Sequence, residues 1–177
     1  EGEPAPETPE LMAVLEEGLE KSPEHPGLCH LYIHTMEASP TPEKALPAAN
    51  RLQDRMPGLG HLVHMPSHIY VLVGDYDDVI SANQQAIEAD NEFLQAEGPY
   101  TLYRVHNYHF VVYGAMFDGQ SELALQAARD LVKTIPEDLL QAQTDFLDAF
   151  IPTPLHVMVR FGLWDEILAE SEPAEYL

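Results

Sequence analysis

After a Pro-rich opening, EGEPAPETPE, apolar residues recur at three- and four-residue intervals along most of the chain, and the segments with this spacing end at Gly or Pro. That periodicity predicts helix after helix, with no alternating pattern that would mark a strand. The clearest case is GDYDDVISANQQAIEADN, from Gly74 to Asn91, where Tyr76, Val79, Ala82, Ala86 and Ile87 share one face made largely of small residues. Two later segments echo it. In FGLWDEIL, Gly162, Trp164 and Ile167 each stand 88 residues after Gly74, Tyr76 and Val79. In DGQSELALQAARDLVKTIP, Gly119, Ala124 and Ala127 each stand 45 after Gly74, Val79 and Ala82. The expected fold class is therefore all-α, built on an internal repeat.

These segments resemble the tetratricopeptide repeat, a helix-turn-helix unit of 34 residues. The best match is Gly60 to Asn91, with Tyr70, Gly74, Tyr76 and Ala86 at the repeat's usual places and Pro66 and Asn83 departing from it. KSPEHPG, DRMPG and KTIPED look like the proline-containing links between repeats. The resemblance implies an α-solenoid over residues 1–177, with repeats at about 26–57, 60–91, 99–136 and 148–172. Residues 10–21 read as an orphan second helix, and the chain as part of a longer array. Extra residues between Asn91 and Tyr103 lengthen the third unit. The segments HPGLCHLYIH, GHLVHMPSHIY and HNYHF together are similar to a group of bacterial tetratricopeptide-like proteins with no established activity.

Composition narrows the partners. Thirty acidic against eight basic residues give a formal charge of −22, which repels phosphate backbones and anionic lipid and so argues against nucleic acid and membrane surfaces. The same field attracts cations. Cys29 is the single cysteine, so an intrachain disulfide and CxxC chemistry are excluded and the compartment leans cytoplasmic. No apolar run reaches the ~20 residues of a transmembrane helix.

The candidate chemistry lies in the histidines. Seven of nine fall into His30/His34, His61/His64/His68 and His106/His109, giving four pairs at +3 or +4 spacing, which share a helix face, where chance predicts roughly 0.8. The repeat offsets bring them into register. His30 and His34 lie 34 before His64 and His68, His106 and His109 lie 45 after His61 and His64, and His156 lies 88 after His68. In the family these positions on the first helix face the concave groove, so the resemblance implies one groove lined by eight imidazoles. Pro66, between His64 and His68, is expected to kink or restart its helix.

Imidazole nitrogens suit copper or zinc rather than hard magnesium or calcium. The expected ligands are His30, His34, His61, His64, His68, His106 and His109, with Tyr103, Asn107, Tyr113 and His156 lining the groove for a small molecule or peptide. Cys29, Met36, Met65 and Met116 lie near the clusters and would favour copper if their sulfur pointed inward. A metal-dependent oxidase or hydrolase is one expectation, with Glu37, Asp75 or Asp90 as a base for metal-bound water. HExxH, GxSxG and phosphate-loop motifs are all absent from the sequence. The competing expectation is a metal-free scaffold that holds a peptide or protein partner, the commonest use of such repeats.

Overall fold

The computed structural model describes residues 4–93, 100–174 and 176, and every regular element among them is helical. The chain divides into two compact units, Glu1–Phe93 and Leu94–Leu177. The lengthened link expected after Asn91 falls largely on 94–99, outside the described residues. Among the described residues no helix is long and apolar enough to cross a membrane.

The first unit contains α1 (Thr8–Lys21), α2 (Pro26–Glu37), a 3-10 turn (Pro42–Ala45), α3 (Leu46–Leu52), α4 (Gly60–His64), α5 (Ser67–Val73) and α6 (Tyr76–Phe93). Helix α2 starts where Pro26 supplies a preset φ at the first position and His25 caps it, its Nδ1 accepting from the Leu28 N–H at 3.3 Å. His25 thus has a structural part, away from the three clusters. Helix α2 packs on α1, α3 and α5, and α6 packs on α4 and α5. The contacts bury Ile33 and Met36 of α2, Leu52 of α3, Ile69 and Tyr70 of α5 and Val79 and Ala82 of α6. Burial of such side chains is the main force holding short helices that would be marginal alone.

Pro66 interrupts the helix without ending it. Met65 and Pro66 both keep helical φ and ψ, the Met65 N–H bonds to the His61 carbonyl at 3.1 Å, and Tyr70 N–H bonds to the Pro66 carbonyl at the same distance. The Ser67 hydroxyl donates to the His64 carbonyl at 2.7 Å, serving an acceptor left over at the break. His61, His64 and His68 therefore stay on one helical path. At its start, α4 lies so close to α6 that a Cβ on Gly60 would sit 2.0 Å from Asp90 Oδ1 and 2.9 Å from the Ala86 carbonyl oxygen. Only glycine fits there.

The second unit contains α7 (Tyr100–Asp118), α8 (Ser121–Lys133), α9 (Glu137–Ala142), α10 (Thr144–Leu147), a 3-10 turn (Asp148–Phe150), α11 (Thr153–Phe161) and α12 (Trp164–Ala169). Helix α8 packs on α7 and α11. Val105, Leu131, Ile135, Leu140 and Leu147 form a buried apolar cluster.

The three glycines aligned from sequence share one backbone geometry. Gly74, Gly119 and Gly162 have φ of 89°, 80° and 70°, the positive values found among the described residues. Each ends a helix, and the residue after it donates its N–H five residues back, Asp75 to Tyr70, Gln120 to Ala115 and Leu163 to Met158, all at 2.9 Å. This is the Schellman closure, which needs a left-handed residue and so favours glycine.

Candidate metal centre

Five of the expected ligands converge within the first unit: His30 and His34 from α2, His61 and His64 from α4, and His68 from α5. Successive ring centroids are 4.9 Å apart for His30 and His34, 5.1 Å for His30 and His61, 4.7 Å for His64 and His68 and 5.7 Å for His34 and His68. Helix α2 packs on α5, and the i,i+4 spacing within each of these two segments aims both of its imidazoles at the other.

Two nitrogen pairs face each other inside the cluster. His61 Nε2 lies 3.2 Å from His30 Nε2, and His64 Nε2 lies 2.8 Å from His68 Nε2. Two nitrogens bound to one ion at 2.0–2.1 Å stand about 2.9 Å apart at a right angle and about 3.3 Å apart at the tetrahedral angle. Ligand nitrogens of His30, His34 and His61 all lie within 4.8 Å of one another.

Three outer acceptor contacts set the tautomers. Asn83 Nδ2 donates to the Val79 carbonyl at 2.7 Å, which turns its Oδ1 toward His64 Nδ1 at 2.6 Å. That nitrogen must then carry the proton. Glu37 spans two histidines, with Oε1 2.9 Å from His34 Nδ1 and Oε2 2.5 Å from His68 Nδ1. A carboxylate is acceptor-only, so both nitrogens donate to it. Protons held on Nδ1 leave Nε2 with its lone pair in the neutral rings of His34, His64 and His68. For His64 and His68 this sets two lone pairs against each other at 2.8 Å, an arrangement that a proton or a metal cation between them stabilises. Outer acceptors on Nδ1 are the usual companions of metal-bound imidazoles.

The electrostatics agree with the geometry. Burial pushes the Glu37 carboxyl up, but the hydrogen bonds from His68 and His34 outweigh it and hold the group at about 2. Burial, and then the neighbouring His34 and His68, lower the pKa of His30. Burial, followed by His30, His34 and His68, lowers that of His61. Both shifts favour the neutral imidazole, the form that binds metal.

The sulfur atoms take other places. Cys29 is buried, its Sγ donates to the Pro23 carbonyl at 3.5 Å, and burial raises its pKa. Met36 and Met65 are fully buried in the apolar core. The donors gathered in this unit are nitrogens.

The remaining expected site residues lie in the second unit. His106 and His109 are on α7, with Tyr103, Asn107 and Tyr113, and His156 is on α11. His106 packs edge-on to Phe110 at 5.0 Å and His109 edge-on to Phe150 at 6.0 Å. Tyr103 and Tyr113 are exposed, Tyr113 tilted on Phe117 at 4.7 Å, whereas Asn107 is buried.

Glu37, Asn83 and Ser67 adjoin these histidines; Glu37 was expected as a base for metal-bound water, whereas Asn83 and Ser67 were not among the expected site residues. Glu37 follows His34 by three residues, the spacing of a helical neighbour. Asn83 departs from the repeat pattern on the small-residue face of α6, and a polar residue on a buried face is itself a signal that a partner waits opposite it. No family model matches the chain, and no curated protein or solved structure matches it.

Proposed function

We propose that the chain is a tetratricopeptide-like α-solenoid whose histidine cluster binds a transition metal, zinc or copper. The observation that carries the metal reading is the facing of His64 Nε2 and His68 Nε2 at 2.8 Å with Asn83 and Glu37 fixing the opposite nitrogens. The three matching glycine closures support the repeat reading. An all-nitrogen donor set suits Zn(II) or Cu(II) better than Cu(I), which prefers thiolate and thioether. Fewer than four protein donors on an ion leave a position for water or substrate, the arrangement used by metal-dependent oxidases and hydrolases.

The test is the metal content of tag-free protein by elemental mass spectrometry, beside a His30→Ala/His61→Ala variant. Copper or zinc near stoichiometry, reduced in the variant, is the expected result. Protein that carries neither metal and binds neither tightly on addition would refute the reading. A peptide-binding scaffold is favoured by the exposed Tyr103 and Tyr113 on α7; if it holds, a partner's affinity falls in a Tyr103→Ala/Tyr113→Ala variant and is unmoved by His30→Ala/His61→Ala.

A further inference from the structure

Resting on the metal reading above, we infer that the cluster holds two metal ions, one on His30, His34 and His61 and one on His64 and His68, with Glu37 as the positioning residue that ties the two sites together. The nitrogens form two separate short edges, 3.2 Å between His30 and His61 and 2.8 Å between His64 and His68. Each edge has the length of one side of a coordination sphere. Ligand nitrogens of His30, His34 and His61 lie within 4.8 Å of one another as one group, and that group does not include His64 or His68. An ion with 2.0–2.1 Å bonds reaches nitrogens at most about 4.2 Å apart.

Glu37 joins the two groups, because its oxygens accept separately from His34 of the first and His68 of the second. Ionised, it orients both rings and offsets part of the charge of two divalent cations, and the protein's −22 field adds to that. A glutamine cannot do both tasks. It keeps one acceptor oxygen and presents an N–H₂ to the other imidazole, which must then turn or move its proton to Nε2, the nitrogen needed by the metal. Removing such an outer partner lowers metal affinity 10–100-fold.

The experiment uses the full, tag-free chain, stripped with a chelator and titrated with Zn(II) against a chromophoric competitor. Two Zn(II) per chain are expected, falling to one in the His30→Ala/His61→Ala variant and to one tight and one 10–100-fold weaker ion in Glu37→Gln. A single Zn(II) per chain at saturation overturns this inference and leaves the single-site reading standing; no Zn(II) or Cu(II) at all overturns both. Two Zn(II) retained at native affinity in Glu37→Gln overturn the role of Glu37. A second measurement needs no variant: two Cu(II) ions in one pocket couple magnetically, so the electron paramagnetic resonance signal of the doubly loaded native chain is broadened or lost relative to the singly loaded one. Two full-intensity isolated signals overturn the proposal.

Discussion

The α4–α6 and α7–α8 segments share a register offset of 45 residues and the same glycine closure, yet they are filled in opposite ways. In the second unit Val105, Leu131 and Ile135 are core residues of one apolar cluster. Their equivalents in the first unit are Gly60, Ala86 and Asp90. Small residues there let α4 approach the α6 backbone until Gly60 has no room for a Cβ. The histidines follow suit. His64 is 1% exposed and donates to Asn83, whereas the equivalent His109 is exposed against Phe150 and the position equivalent to Asn83 is Ala128. A buried imidazole needs a fixed polar partner, and an exposed one has water. The comparison teaches that small and polar residues at Gly60, Asn83, Ala86 and Asp90 give a polar centre, where residues 45 positions later at Val105, Ala128, Leu131 and Ile135 give apolar packing.

The largest expected effect breaks the close approach. Gly60→Ala should destabilise by about 3 kcal/mol or more, because neither the Ala86 carbonyl nor the buried Asp90 can yield cheaply. Val105→Ala, which only opens a cavity, should cost about 2 kcal/mol. Urea denaturation of the two variants measures this, and a Gly60→Ala cost under about 1 kcal/mol would mean α4 and α6 have room to separate.

Next, the two equivalent histidines should part company. In chelator-treated protein His64→Ala leaves the buried Asn83 oxygen without its donor and should cost about 2 kcal/mol; His109→Ala, at an exposed position, should stay within about 0.5 kcal/mol. A double-mutant cycle with Asn83→Ala should recover at least about 1 kcal/mol of coupling with His64. Additive effects would dissolve the contrast drawn between the two units.

Smaller and shared by both units is the cost of the turns. Gly74→Ala, Gly119→Ala and Gly162→Ala should each lose roughly 1–2 kcal/mol, since each holds a left-handed conformation that a Cβ opposes. The three should agree closely, because nothing lies within 4 Å of the added Cβ at Gly74 or Gly119 and only Trp164 Nε1, at 3.6 Å, at Gly162. Thermal unfolding of the three single variants checks it.

The smallest effect is on pH. His30 and His61 titrate below their ordinary 6.5 in the fold, so the folded state binds fewer protons than the unfolded one just below that value. Their contribution to stability is complete above 6.5 and lost as pH falls below it. Glu37, lowered from 4.5 to about 2, contributes fully above 4.5 and loses its share between 4.5 and about 2. Melting temperature of chelator-treated protein should therefore decline in two stages on acidification, and His30→Ala/His61→Ala should flatten the first stage alone.

Much of this was legible in the chain. The all-helical class was readable from the three- and four-residue spacing, and the alignment of Gly74, Gly119 and Gly162 reappears as three positive φ values. The clustering of His30, His34, His61, His64 and His68 was readable from spacing and register together. Pro66 was readable as a disturbance, but the continuation of the helix through it depends on Ser67 serving the His64 carbonyl. Asn83 looked like a flaw in a repeat, because its meaning resides in a ring 19 positions away.

What the sequence alone determined about this protein is its helical class, its turns and the faces on which imidazoles would lie. These follow from rules that act over three to five residues, since i,i+3 and i,i+4 neighbours and left-handed glycine closures are local geometry. Tertiary structure alone decided which nitrogens meet, which of them carry protons, and that Glu37 reaches both His34 and His68. His30 and His61 are 31 positions apart, and no local rule relates them; only the packing of α2 against the helices that follow brings their Nε2 atoms to 3.2 Å.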